Sequence, residues 1–188
     1  KIDGDTFGAF ANGFNAIALG SDALAGADLS TAIGANTQAM GIDSTAVGNA
    51  AVAFEDSSTA LGARAQATGQ VSIAVGAAAE ASNANSIAIG VVSSATGGGS
   101  IALGGQANAS GVFSAAIGFE AVASDQDSTA IGTTSQAVGF SSTAIGARSQ
   151  AVGANSLALG YFANASHDNS VAIGLGAMTT RTDQFTFG

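Results

Sequence analysis

An all-β parallel β-roll, wound as a solenoid with two short strands per coil, is the fold this chain predicts. Three observations carry that expectation. Glycine returns every fourteen residues without a slip, at 20, 34, 48, 62, 76, 90, 104, 118, 132, 146, 160, 174 and 188. A fixed period this short corresponds to one coil of a stacked array. The residues before each of these glycines alternate in character, as a strand requires. The 188 residues include no proline, so every backbone N–H can donate to a long run of parallel ladders.

The chain divides into residues 1–16, an N-terminal cap and first partial coil, residues 17–174, the regular repeats, and residues 175–188, a last coil that breaks the columns. The cap carries Phe7, Phe10 and Phe14, aromatics suited to covering the open end of the first coil. Within the repeats, the residue before the glycine is branched and apolar, as in Leu61, Ile89 and Ile131. Two before it stands Ala in every coil from Ala18 to Ala172, and four before it stands Ser in every coil from Ser30 to Ser170. The residue three before the glycine is mostly apolar or Thr, both strand formers.

A second alternating stretch, of the form Ala-x-Ala with Ser in some coils for the first Ala, begins three residues after the glycines of the regular repeats, as in Ala65-Gln66-Ala67, Ala107-Asn108-Ala109 and Ser149-Gln150-Ala151. Its intervening residue, Gln136 among others, reads as solvent-facing. The two strands of a coil are expected to enclose the branched residues, with Ile or Leu of one set against Ala of the other. That assignment leaves the Ser/Ala face of the glycine-ending strand pointing outward, smooth and too apolar for solvent. Burial against identical copies would give a thin rod the core it otherwise lacks, so a homo-oligomer is expected. Ser86, Ala88, Ser100, Ala102, Ser128 and Ala130 are the interface candidates. The recurrent glycine is expected to take a positive φ or to admit the next coil's backbone. A second glycine column seven residues earlier, exchanged for Asn83 or Asp125, reads as a left-handed turn position.

Composition excludes several functions. Cysteine is absent and His167 is the lone histidine, so no thiolate metal site and no His-dependent triad can be assembled within one chain. The acidic pairs Glu55/Asp56 and Asp125/Asp127 lack the regular ladder of calcium-binding rolls and read as solvated charge. Gly97-Gly98-Gly99 has no following Lys and no helix, and reads as a turn rather than a phosphate loop. The formal net charge of -9 argues against nucleic acid and anionic membranes. Every apolar run is interrupted well short of the roughly 20 residues of a membrane span. No cofactor, metal or enzymatic activity is expected. Recognition is expected from residues that depart from the small filling of their columns: Arg64, Phe119, Phe140, Arg148, Tyr161 and Phe162.

These repeats resemble a known family. Asn85-Ser86-Ile87-Ala88-Ile89-Gly90, Asn155-Ser156-Leu157-Ala158-Leu159-Gly160 and Asn169-Ser170-Val171-Ala172-Ile173-Gly174, the first two followed by a small-x-Ala stretch, resemble the haemagglutinin-type head repeat of YadA-like trimeric autotransporter adhesins. Elsewhere the opening Asn becomes Leu29, Asp43, Ser57, Val71, Gly99, Phe113, Asp127 or Ser141. The segment from Asn169 to Gly188 looks like the start of that family's neck. The resemblance implies a homotrimer of left-handed β-rolls on a Gram-negative cell surface, anchored in the outer membrane through a C-terminal part outside this sequence. It implies adhesion to host cells or to extracellular-matrix proteins of the collagen, fibronectin or laminin type, with bacterial autoaggregation as a further role. The competing expectation is a structural or ice-binding solenoid without a host ligand. For ice binding the Thr column, interrupted by Ile73 and Ile87 and assigned to the interior, is poorly suited.

Overall fold

A computed structural model describes residues 8–188. Its architecture is an all-β parallel β-solenoid of fourteen-residue turns, each carrying one two-residue and one three-residue strand except the last, where the short strand is reduced to a single bridge at Met178. Contacts divide the chain into two compact units, residues 1–93 and 94–188. In the first unit the two-residue strands from Phe10–Ala11 to Glu80–Ala81 stack into one parallel sheet. The three-residue strands from Ile17–Leu19 to Ile87–Ile89 stack into a second. The second unit repeats this with short strands from Ser94–Ala95 to Asn164–Ala165 and longer strands from Ile101–Leu103 to Phe185–Phe187. Pairing joins residues fourteen apart, as in Ile73↔Ile87, Ala74↔Ala88 and Val75↔Ile89, so each sequence column becomes a physical column.

Side-chain direction is the reverse of the expected one. Ala32, Ala46, Ala60, Ala74, Ala88, Ala102, Ala116 and Ala130 are 0% exposed, and so are Ser30, Ser44, Ser86, Ser100 and Ser128. The interior of each coil is therefore Ala and Ser from the longer strand facing Ala, Ser or Thr from the shorter one, for instance Ala65 and Ala67. The branched residues point outward, with Leu61 46%, Ile89 42% and Leu159 38% exposed. The cause is thickness. Sheets filled by branched side chains pack about 10 Å apart, and a fourteen-residue coil closed through two tight turns encloses only methyls and hydroxyls.

Two turns close each coil, and each holds a residue in the left-handed region. One column contains Asn85 (φ 59), Leu29 (φ 59), Val71 (φ 57) and Phe113 (φ 56), and the other contains Arg64 (φ 58), Val92 (φ 58) and Arg148 (φ 58). Asn opens the cleanest repeats because it tolerates this backbone better than branched residues do. The second glycine column is thus not the left-handed position, which falls two residues later. Its glycines answer a different demand: a Cβ on Gly41 would collide with the Glu55 carbonyl of the next coil. For the main glycine column both expectations hold. Gly104 has φ +133, and a Cβ there would stand 2.5 Å from the Gly118 carbonyl oxygen.

At the first described turns, Phe10 pairs with Leu24 in the short-strand sheet while its side chain and that of Phe14 remain exposed; Phe7 lies outside the described residues. At the other end, Phe185–Phe187 continues the longer-strand sheet beside Val171–Ile173. There Phe185 and Phe187 replace the branched outward residues, their ring centroids 4.9 Å apart.

Candidate functional surface

Two outward surfaces distinguish themselves from the small polar filling of the coils. The first is the outer face of the longer-strand sheet. Parallel register aligns Ile33, Val47, Leu61, Val75 and Ile89 in one row, with Thr31, Thr45, Thr59, Ile73 and Ile87 beside it. In the second unit Leu103, Ile117, Ile131, Ile145 and Leu159 continue the same pattern. Such a ladder is apolar, regular and only half covered by its own chain. The six interface candidates from the sequence are not on it. Ser86, Ala88, Ser100, Ala102, Ser128 and Ala130 are wholly enclosed in the roll of their own chain, because the coil has no room for the larger set. The threonine column is likewise outward and half-buried, not interior.

The second surface gathers three of the six recognition candidates. Arg148 and Phe162 occupy the same turn column in consecutive coils, and Tyr161 precedes Phe162, so the fourteen-residue period brings them together. The Arg148 guanidinium donates from Nη1 to Tyr161 Oη at 3.1 Å and its Cζ lies 5.1 Å from the Phe162 ring centroid. The Tyr161 and Phe162 rings meet edge to face, with centroids 4.5 Å apart and planes at 79°. Beside them is a shallow depression of about 390 Å³ lined by Thr134, Gln136, Arg148, Gln150, Phe162, Asn164 and Met178. Gln136, Gln150, Asn164 and Met178 are one column, the outward residue of the short strand, and Asn164 Nδ2 donates to Gln150 Oε1 at 3.4 Å. Gln136, solvent-facing by sequence, is exposed at the edge of this depression. The clue that it neighbours the aromatic cluster was the period itself, which stacks residues fourteen apart.

The other three candidates stand elsewhere. Arg64 is exposed in the first unit, at the left-handed position equivalent to Arg148. Phe119 is exposed just after Gly118, and Phe140 projects from the opposite turn, beside Gly139.

The acidic turns have structural partners. Asp28, Asp56 and Asp168 each accept, through Oδ1, the backbone N–H of the residue fourteen earlier, Phe14, Ile42 and Ala154, all at 2.8 Å. Asp125 Oδ1 accepts the Gln126 N–H. His167 Nδ1 lies 3.0 Å from Ser166 Oγ, and its carbonyl accepts the Ser170 hydroxyl. Among the described residues no group of three His, Cys, Asp or Glu side chains is placed to hold a metal ion, and no helix is long and apolar enough to cross a membrane.

Comparison with known proteins places these turns. A family model described as the YadA head domain repeat matches residues 11–37, 39–65, 67–91, 95–121, 109–135, 123–149, 137–163 and 151–177. Among solved structures, the collagen-binding domain of the Yersinia adhesin YadA is similar at 22% identity and a TM-score of 0.31. That likeness covers 98% of this chain and 72% of the other. No curated protein sequence matches.

Proposed function

Because this chain belongs to the family of YadA head domain repeats, we propose that it is the non-catalytic head of a trimeric bacterial surface adhesin. The observation that carries the proposal is the outward ladder of Ile, Leu, Val and Thr on the longer-strand sheet. Its rows leave Leu61 and Ile89 more than two-fifths exposed in a single chain. Packing three such faces against one another would bury a continuous apolar stripe and give the thin rolls a shared core. The interface of this proposal is thus the branched column, with Leu61, Ile89 and Ile131 as representative contacts.

The short-strand sheet and both turns then face outward as the recognition surface. Three copies on one particle multiply weak contacts through effective concentration, which suits attachment to host cells, to matrix proteins of the collagen, fibronectin or laminin type, and to neighbouring bacteria. Display on a Gram-negative outer membrane, through a C-terminal anchor outside this sequence, completes the reading. Sedimentation equilibrium is expected to give three times the 17.8 kDa of one chain, and immobilised matrix proteins are expected to retain the trimer. A single-chain species at micromolar concentration would refute the assembly.

One observation favours a second reading. Thr31, Thr45 and Thr59 form an outward row in register, which an ice-binding face would use. Ile73 and Ile87 interrupt it, and thermal hysteresis in solution is the measurement that would replace adhesion by ice binding.

A further inference from the structure

We infer that the depression beside Arg148 is a glycan subsite, and that it takes a carboxylate-bearing monosaccharide unit of the sialic-acid or uronic-acid type. The inference rests on the adhesin reading and names a ligand class for one part of its outer surface.

Three features converge on that chemistry. The first is a held cation without a counter-ion. The protein carries thirteen acidic and four basic residues, yet among the described residues Arg148 pairs with no carboxylate; its partners there are the Tyr161 hydroxyl and the Phe162 ring. Those two contacts fix the guanidinium on one side and leave its remaining donors for a planar anion, which it can grip with two parallel hydrogen bonds.

The second feature is the row of amides. Gln136, Gln150 and Asn164 rise one coil apart along the depression, about 4.8 Å per step. An amide offers both a donor and an acceptor, the pairing that vicinal sugar hydroxyls satisfy. Two polar atoms in the wall, Thr134 Oγ1 and Asn164 Oδ1, are buried and have no hydrogen-bond partner among the described residues. Rotation of the Asn164 amide about its soft terminal torsion would present its oxygen to a hydroxyl donor.

The third feature is apolar. Phe162 and Met178 border the same depression and are exposed at 48% and 58%. They supply a surface for the C–H face of a pyranose. An extended acidic peptide would use the guanidinium but would leave the amide row unmatched, so a single acidic sugar is the better fit. Arg64 holds the same turn position, but its column neighbours are Ala50 and Ala78, so no ring flanks its guanidinium in that column.

The test is ligand-observed NMR and calorimetry on the full 188-residue chain. The probes are the methyl α-glycoside of N-acetylneuraminic acid, methyl glucuronide, the methyl ester of each, methyl galactoside and a hexa-aspartate peptide. The two free acids are expected to bind in the millimolar range, and their esters and the neutral sugar at least about tenfold more weakly. Arg148→Gln and Phe162→Ala should each weaken acid binding at least about fivefold, while Arg148→Lys retains part of it and Arg64→Gln changes nothing. The Arg64→Gln chain also reports that a turn substitution leaves the fold intact. The inference is overturned if no acid sugar binds, if esters bind as well as acids, if Arg148→Gln binds normally, or if the peptide is the tighter ligand. Trimer mass, measured on the same samples, keeps failure of this subsite distinct from failure of the adhesin reading.

Discussion

Single residues in the interior obey a rule that the repeat hides. In five coils the buried Ser hydroxyl donates to the carbonyl three residues earlier: Ser30 to Ala27, Ser58 to Glu55, Ser86 to Asn83, Ser128 to Asp125 and Ser170 to His167. The hydroxyls of Ser44, Ser72, Ser100, Ser114, Ser142 and Ser156 find no partner among the described residues. In every one of these the residue three earlier is glycine: Gly41, Gly69, Gly97, Gly111, Gly139 and Gly153. In both classes the same carbonyl accepts the serine's own backbone N–H, as Gly69 does from Ser72 at 3.2 Å and Glu55 from Ser58 at 3.2 Å, so the classes differ in the hydroxyl alone. The two classes of serine therefore differ energetically although they look identical in sequence. Ser86→Ala is expected to cost about 1 kcal/mol, the net value of a hydrogen bond, whereas Ser72→Ala relieves an unpaired buried hydroxyl and is expected to be neutral or stabilising. Urea unfolding of the two variants checks this, and equal destabilisation would contradict it.

At the scale of the strand, inside and outside are separated by size. Ala102 is fully enclosed and Ile89 is 42% exposed, so equal-sized insults to them have different consequences. Ala102→Leu overpacks the roll and is expected to lower the stability of each chain by about 1–3 kcal/mol. Ile89→Asp is expected to leave the coil's own packing alone and to weaken the proposed trimer at least about tenfold, by placing an unpaired carboxylate in its apolar interface. Circular dichroism melts combined with sedimentation separate the two effects. A normal melt for Ala102→Leu, or an unchanged trimer for Ile89→Asp, would put the corresponding side chain on the other face.

For the whole molecule, in the proposed trimer, charge and assembly oppose each other. Each chain carries a formal net charge of -9, so three chains brought together repel at long range while the outward branched rows attract by burial. Salt screens the first term and leaves the second. The trimer is therefore expected to tighten as sodium chloride rises from about 0.01 to 0.5 M, over which the screening length falls below about 5 Å. Dissociation by salt, seen in sedimentation, would mean that charge pairs rather than apolar rows join the chains.

The sequence alone determined the solenoid, its fourteen-residue turn, the two strands per coil and the register. All of these follow from a period that needs no long-range information. It also placed Arg148, Tyr161 and Phe162 among the residues to watch, and the same period implied that they would meet. The direction of the faces was decided only by the tertiary structure. Alternation along Ser86-Ile87-Ala88-Ile89 says that Ser and Ala share one face and the isoleucines the other, and it is symmetric between inside and outside. Breaking that symmetry requires the distance between the two sheets, which closure of the coil through two left-handed turn residues makes too small for Ile and just wide enough for Ala and Ser.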